Sequence, residues 1–220
     1  MFRQALLGGV RLLVLFDVDG TLFLTHDPLA GQALHETLQE RFGVQLPDDA
    51  IEHVDHEGQT SLRIARLVLG AAGADADRVD DGLAEWCARF AERYVELLAH
   101  ADTRSWRAAT GAEQALERLA DAGHRLALLT GNPEPMARAR MERLGLAQFF
   151  EPGQGAFGCD AESRADLIDL ARARAGDWPA EATVEIGDTA RDASNAREAG
   201  VRSILVDDSG LAAVVAQLLA

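Results

Sequence analysis

The chain reads as an α/β protein: a parallel sheet with helices on both faces, carrying an all-helical insertion after its first strand. Three observations predict this class. A short apolar run, Leu12-Leu13-Val14-Leu15-Phe16, has the composition of a strand buried on both faces. From about residue 110 onward, strand and helix patterns alternate, which implies a parallel sheet flanked by helices. Between residues 27 and 100 the periodicity is helical and no strand pattern intervenes. The expected organisation is therefore an α/β core from residues 1–24 and 101–220, with a helical domain over 25–100.

The elements follow in order. Met1-Phe2-Arg3-Gln4-Ala5-Leu6-Leu7 has one basic residue, no clear cleavage site, and leads directly into the first strand. It reads as the fold's own first element and not as a signal peptide. Asp27-Pro28 is a cap and first-turn pair for a helix ending at Gly43. A second helix spans about 60–70. The third covers roughly 75–99, where Leu83, Trp86, Cys87, Phe90, Tyr94, Leu97 and Leu98 share one face. The alternating half then gives helix 111–122, strand 124–130, helix 133–144, an irregular stretch 149–157 with one short strand, and helix 163–175. Strand 183–187, helix 189–199, strand 203–206 and a last helix over 210–219 complete it.

Composition bounds the function. The formal net charge is −15, which argues against nucleic acid or an anionic membrane as the main partner, since both require a basic face. No apolar stretch is long enough to span a membrane. The two cysteines, Cys87 and Cys159, form no metal-spaced pair and read as free thiols in a reducing cytoplasm, which is the expected location. The chain has no lysine, so all 21 basic residues are arginine and Schiff-base chemistry is excluded.

The chemistry concentrates at strand ends. The first strand runs straight into Asp17-Val18-Asp19-Gly20-Thr21. Desolvated carboxylates are costly unless paired, hydrogen-bonded or metal-bound. Two of them at the carboxyl end of a buried strand therefore mark a site, because open α/β sheets bind ligands there. The alternatives are a solvated Asp-Gly turn or a fragment of a calcium loop, the latter a poor fit because Pro28 stands near where the loop's glutamate belongs. A later strand ends in Thr130-Gly131-Asn132, where a hydroxyl and free amides at a helix start can hold a phosphate. Another ends in Gly187-Asp188-Thr189, followed by Asp192. Taken singly, these two are also a turn with an N-cap and a strand-to-helix turn with an acidic cap.

Taken jointly, Asp17-Val18-Asp19-Gly20-Thr21-Leu22, Thr130-Gly131-Asn132 and Gly187-Asp188-Thr189 with Asp192 resemble the motifs of the haloacid dehalogenase-like hydrolases, in their phosphoglycolate phosphatase-like branch. The resemblance covers nearly the whole chain. It implies a Rossmann-like core with a helical cap and a Mg²⁺-dependent phosphatase acting on a small phosphorylated metabolite. It makes Asp17 the nucleophile that becomes an aspartyl-phosphate, and Asp19 the general acid and then the base. Asp17, the backbone carbonyl of Asp19 and Asp188 would hold Mg²⁺. Thr130, Gly131 and Asn132 would bind the phosphoryl group. The family's third motif is usually a lysine, which this chain lacks. Arg164, near the start of the helix before the fourth strand, stands about where that lysine belongs. Arginine keeps the charge and can grip phosphate with two donors. The alternative for Arg164 is a surface arginine in a first helical turn. In the cap, Gly58-Gln59-Thr60-Ser61 resembles a loop that this branch points into its active site, with Ser61 in place of the usual acid; Thr60 and Ser61 also suit an N-cap. His53, His56 and Arg63 are candidate specificity residues. Two further readings share the architecture: a phosphomutase, and a member that binds a phosphorylated ligand without turnover. Oligomeric state is not legible.

Overall fold

The computed structural model describes residues 10–220; the reading of residues 1–7 lies outside them. Five parallel strands are arranged in the order β3-β2-β1-β4-β5. They are β1 (Leu13–Phe16), β2 (Arg125–Thr130), β3 (Ala156–Phe157), β4 (Thr183–Gly187) and β5 (Arg202–Leu205). The strand that carries the aspartates is thus central, paired with β2 on one side and β4 on the other. Its residues alternate between two cores, as a strand covered on both faces must. Val14 and Phe16 pack into one core with Leu116 and Leu119 of α4 (Ala112–Asp121) and Val214 of α8 (Gly210–Leu219). Leu13 and Leu15 face the other, formed with Leu167 and Ile168 of α6 (Arg164–Arg174) and Ala196 of α7 (Ala190–Glu198). Helix α5 (Glu134–Leu144) follows β2.

Between β1 and β2 lie α1 (Pro28–Phe42), α2 (Ser61–Ala71) and α3 (Ala76–Leu98), with a hydrophobic core of their own. Asp27 caps α1 by accepting from the Leu29 amide, and Gly43 closes it at φ 66°, the left-handed region that glycine tolerates. In α3, Trp86, Cys87, Phe90, Tyr94 and Leu98 are buried along one stripe. Trp86 stacks on Phe90, and its indole N–H donates to Thr37 of α1.

The cysteines overturn one expectation. Cys87 of α3 and Cys159, just past β3, form a disulfide with Cα atoms 5.9 Å apart. They lie 72 residues apart in sequence, and only the docking of α3 against the β3 end brings them together. The free-thiol reading is thereby corrected. No described helix is long and apolar enough to cross a membrane.

Candidate active site

The carboxyl ends of β1, β2 and β4 converge on a cavity of about 550 Å³ roofed by the helical segment. Asp17, Asp19, Thr130, Gly131, Asn132, Arg164 and Asp188 all line it, so the sheet gathers every residue that the sequence marked for catalysis, phosphate or metal. Of the cap candidates, His56 lines this cavity. Arg63 lines a separate neighbouring depression, and the exposed His53 bonds to the Asp49 carbonyl.

Asp17 is buried, its amide tied to the Ile186 carbonyl across the sheet. Its Oδ1 lies 3.0 Å from Nη2 of Arg164. Arg164 is itself only 5% exposed, which sets aside the surface-arginine alternative. The reason is local. Ser163 caps α6, so Arg164 opens the helix on its buried side, beneath the end of β1. The same Nη2 faces Asp192 at 3.2 Å and Glu185 at 3.8 Å, and donates to the Leu129 carbonyl. One guanidinium thus serves three buried carboxylates. Burial pushes Asp17 up to about 7, with Arg164 opposing and Asp192 and Asp19 adding to the rise. Glu185, fully buried in mid-strand, is pushed up to about 8, again mainly by burial. Glu185 was not among the residues marked in the sequence; its signal is an acid between Val184 and Ile186 in a buried strand.

Asp188 is fixed by the Thr21 hydroxyl, which donates to Oδ1 at 3.1 Å. Burial raises its pKa. Gly20 passes directly over it: a Cβ there would lie 2.2 Å from Asp188 Oδ2, and φ is +83°. Glycine is required on both counts. Asp192 completes a capping box with Thr189 at the start of α7. Its Oδ1 is buried and makes no hydrogen bond among the described residues.

Oxygen atoms of Asp17, Asp188 and Asp192 lie within 4.8 Å of one another. This cluster of hard oxygen donors carries more negative charge than Arg164 alone balances, and it suits an oxygen-preferring divalent ion such as Mg²⁺.

The turn after β2 is pressed from above. The Ser61 amide and hydroxyl both donate to the Gly131 carbonyl at 2.8 Å, and Thr60 caps α2 while bonding the Glu162 carbonyl. A Cβ at Gly131 would lie 2.0 Å from the Gln59 carbonyl oxygen. Gly58, Gln59 and Ser61 of the loop expected to point into the site line the cavity, and the loop docks on Thr130-Gly131-Asn132 with the Ser61 hydroxyl bonded to backbone. The Thr130 hydroxyl accepts from the amide and the side chain of Asn132.

Asp19 points into the cavity with its side chain about half exposed. Asn132 Nδ2 donates to its Oδ2, and Nη1 of Arg140 donates to Oδ1 at 2.8 Å. Arg140, on α5, is only 2% exposed and went unmarked in the sequence. Its signal was positional: it follows Met136 by four residues and Ala137 by three, so it occupies the buried stripe of its helix.

A family model for haloacid dehalogenase-like hydrolases matches residues 12–200. The chain belongs to this family. A phosphoglycolate phosphatase of Rhodospirillum rubrum is 34% identical over 88% of this chain and 78% of its own length. One from Caulobacter vibrioides is 28% identical, with the same shares covered. The chain is a phosphatase. Among solved structures, CbbY from Rhodobacter sphaeroides in complex with phosphate superposes with a TM-score of 0.61 at 22% identity, covering 90% of this chain and 86% of that one. That likeness establishes the Rossmann-like fold.

Proposed function

We propose that this phosphatase hydrolyses a small phosphomonoester with the help of Mg²⁺, in two displacements through an aspartyl-phosphate on Asp17. The observation that carries the reading is the pairing of Asp17 with Arg164 at 3.0 Å, beside Asp19 and Asp188 in one cavity. Asp17 attacks phosphorus, and Asp19 protonates the leaving alcohol and then activates water. This division is covalent catalysis with a positioned acid and base. Arg164 takes the part of the family's lysine, steadying Asp17 and the phosphoryl oxygens. Thr130, the Gly131 amide and Asn132 hold those oxygens at the start of α5. Mg²⁺ would be held by Asp17, Asp188 and the backbone carbonyl of Asp19, with Asp192 beside them, and when bound it supplies the charge neutralisation that lets a carboxylate approach a phosphate dianion.

The relatives and the cavity support a small phosphomonoester as the substrate. The relatives named above are phosphoglycolate phosphatases. A cavity of about 550 Å³ suits phosphoglycolate or a sugar or nucleotide monophosphate. Residues 25–100 act as the cap domain over a core of 1–24 and 101–220, and His56 is one of the cap residues that line the cavity. A cytoplasmic location belongs to the same reading, and there the Cys87–Cys159 bridge is exposed to reduction.

The test is a panel of small monoesters assayed for phosphate release with and without Mg²⁺, alongside Asp17→Asn. Metal-dependent release is expected, abolished to about one thousandth or less in the variant. Absence of metal-dependent release from every ester defeats the reading.

A further inference from the structure

A buried guanidinium must be paired or it destabilises the fold. Arg140 is paired beyond that requirement. Its Nη2 donates to Asp27 Oδ2 at 2.9 Å, and its Nε reaches the same oxygen at 3.3 Å. The Tyr94 hydroxyl, 3.2 Å from Nε, donates to Asp27 Oδ2 at 2.7 Å. The plane of the guanidinium lies near the rings of Phe23 and Tyr94, at 4.9 and 5.5 Å from their centroids. Asp27 alone balances the charge, and its side chain is as buried as the arginine's. The need for a partner is therefore met without Asp19. The remaining edge of the fork still presents Nη1 to Asp19 Oδ1 at 2.8 Å.

Asp19 sits differently. Its side chain is about half exposed to the cavity, so it needs no cation to offset burial. A carboxylate in that setting rotates freely unless both oxygens are held. Here they are: Asn132 takes Oδ2 and Arg140 takes Oδ1. Arginine suits this task because its planar fork loses little freedom per bond made.

We propose that Arg140 is a positioning residue for Asp19, locked by Asp27 and Tyr94 so that its free edge fixes the plane of the acid–base carboxylate. It rests on the reading of Asp19 as acid and base given above. Asp27 stands at the start of α1 and Tyr94 lies on α3. The aim of Asp19 therefore depends on the helical segment being seated. A cap displaced from the core loosens the acid as well as opening the cavity.

Leaving-group dependence tests this. An alkyl phosphate needs a proton delivered to its leaving oxygen, whereas p-nitrophenyl phosphate expels a stable phenolate unaided. General acid catalysis contributes typically 10²–10⁴-fold. With Mg²⁺ present, kcat/KM is measured for p-nitrophenyl phosphate and for the alkyl monoester that wild type hydrolyses best. Arg140→Gln is expected to lower the alkyl value roughly 10–100-fold and the aryl value by less than about threefold, as part of that acid contribution is lost. Arg140→Lys restores part of the difference, and Tyr94→Phe shows a smaller split of the same sign. Equal losses on both esters, as a purely structural defect gives, overturn the proposal, as does an unchanged ratio. If Arg140→Gln is not recovered folded, folded Arg140→Lys and Tyr94→Phe decide: a wild-type ratio in both overturns it. Asp19→Asn is the control. If that variant shows no leaving-group split, the acid role of Asp19 has failed, independently of Arg140.

Discussion

Two guanidiniums lie under the cavity, each aimed at one aspartate of the β1 motif, and their surroundings differ. Arg164 serves Asp17, Asp192 and Glu185 through a single nitrogen, while its Nε and both Glu185 oxygens find no hydrogen-bond partner among the described residues. Arg140 uses Nε, Nη1 and Nη2, each on an acceptor. The Arg164 cluster is a wholly α/β-core assembly, short of positive charge and open to a further cation. The Arg140 cluster is closed and spans from the core to α1 and α3. Buried charge is expensive in both places. In the first it is left incompletely compensated where the proposed substrate and metal would bind; in the second it is compensated fully and used as scaffolding.

The sharpest way to break this comparison is at Arg164. Arg164→Ala removes the one cation beside Asp17, the proposed nucleophile, among the described residues, and should lower kcat/KM by about 10²–10³-fold, the range seen when a preorganised electrostatic partner is lost. Arg164→Lys keeps the charge but loses the fork, and should recover part of the loss. Steady-state kinetics on the best monoester checks both. A wild-type kcat/KM in the alanine variant would remove Arg164 from the chemistry.

The same contrast explains what the sequence revealed. Asp17, Asp19, Thr130 and Asp188 were legible because acids and hydroxyls at the ends of apolar strands violate the pattern, and parallel topology puts those ends on one edge. Arg164 was legible by the absence of lysine and by its place at a helix start. Arg140 was not, because α5 also carries Arg138 and Arg143, and only its register with Met136 and Met141 separates it. Asp27 read simply as the cap it also is, and Tyr94 as core. The partners of Arg140 come from 46 and 113 residues away, separations that no local pattern encodes. Cys87 and Cys159 failed for the same reason.

The disulfide offers a second, gentler break. It ties α3, which carries Tyr94, to the core beside β3, and leaves the Arg164 cluster untouched. Closing a loop of 72 residues should contribute roughly 2–4 kcal/mol, chiefly by restricting the unfolded chain. Thermal melts of Cys87→Ser, or of wild type with excess dithiol, should therefore fall by about 5–15 °C against the oxidised protein. Equal melting temperatures would mean that the bridge adds nothing to the docking already made by Ser61, Thr60 and the Arg140 network.

The last effect is one of pH, and it separates the two clusters by slope. Asp17 and Glu185 are pushed up to about 7 and about 8, from ordinary values of 3.8 and 4.5. A carboxyl with a raised folded-state pKa keeps its proton in the folded protein after the unfolded chain has released it. Stability then falls as pH rises, because the folded state binds more protons throughout the interval. For these two groups the interval opens near pH 4 and closes near pH 8, above which the penalty is constant. Melts of the protein in chelator at pH 5, 6, 7 and 8 should show a declining melting temperature, with a shallower decline in Glu185→Gln. Magnesium should recover stability most at the upper end, where Asp17 is ionised. Tyr94→Phe should lower stability without changing the slope, since burial holds the Tyr94 phenol above its ordinary value and it stays protonated across this range. A flat or rising profile in chelator, unaltered by Glu185→Gln, would show that the Arg164 cluster is as fully compensated as that of Arg140, and the contrast between them would be lost.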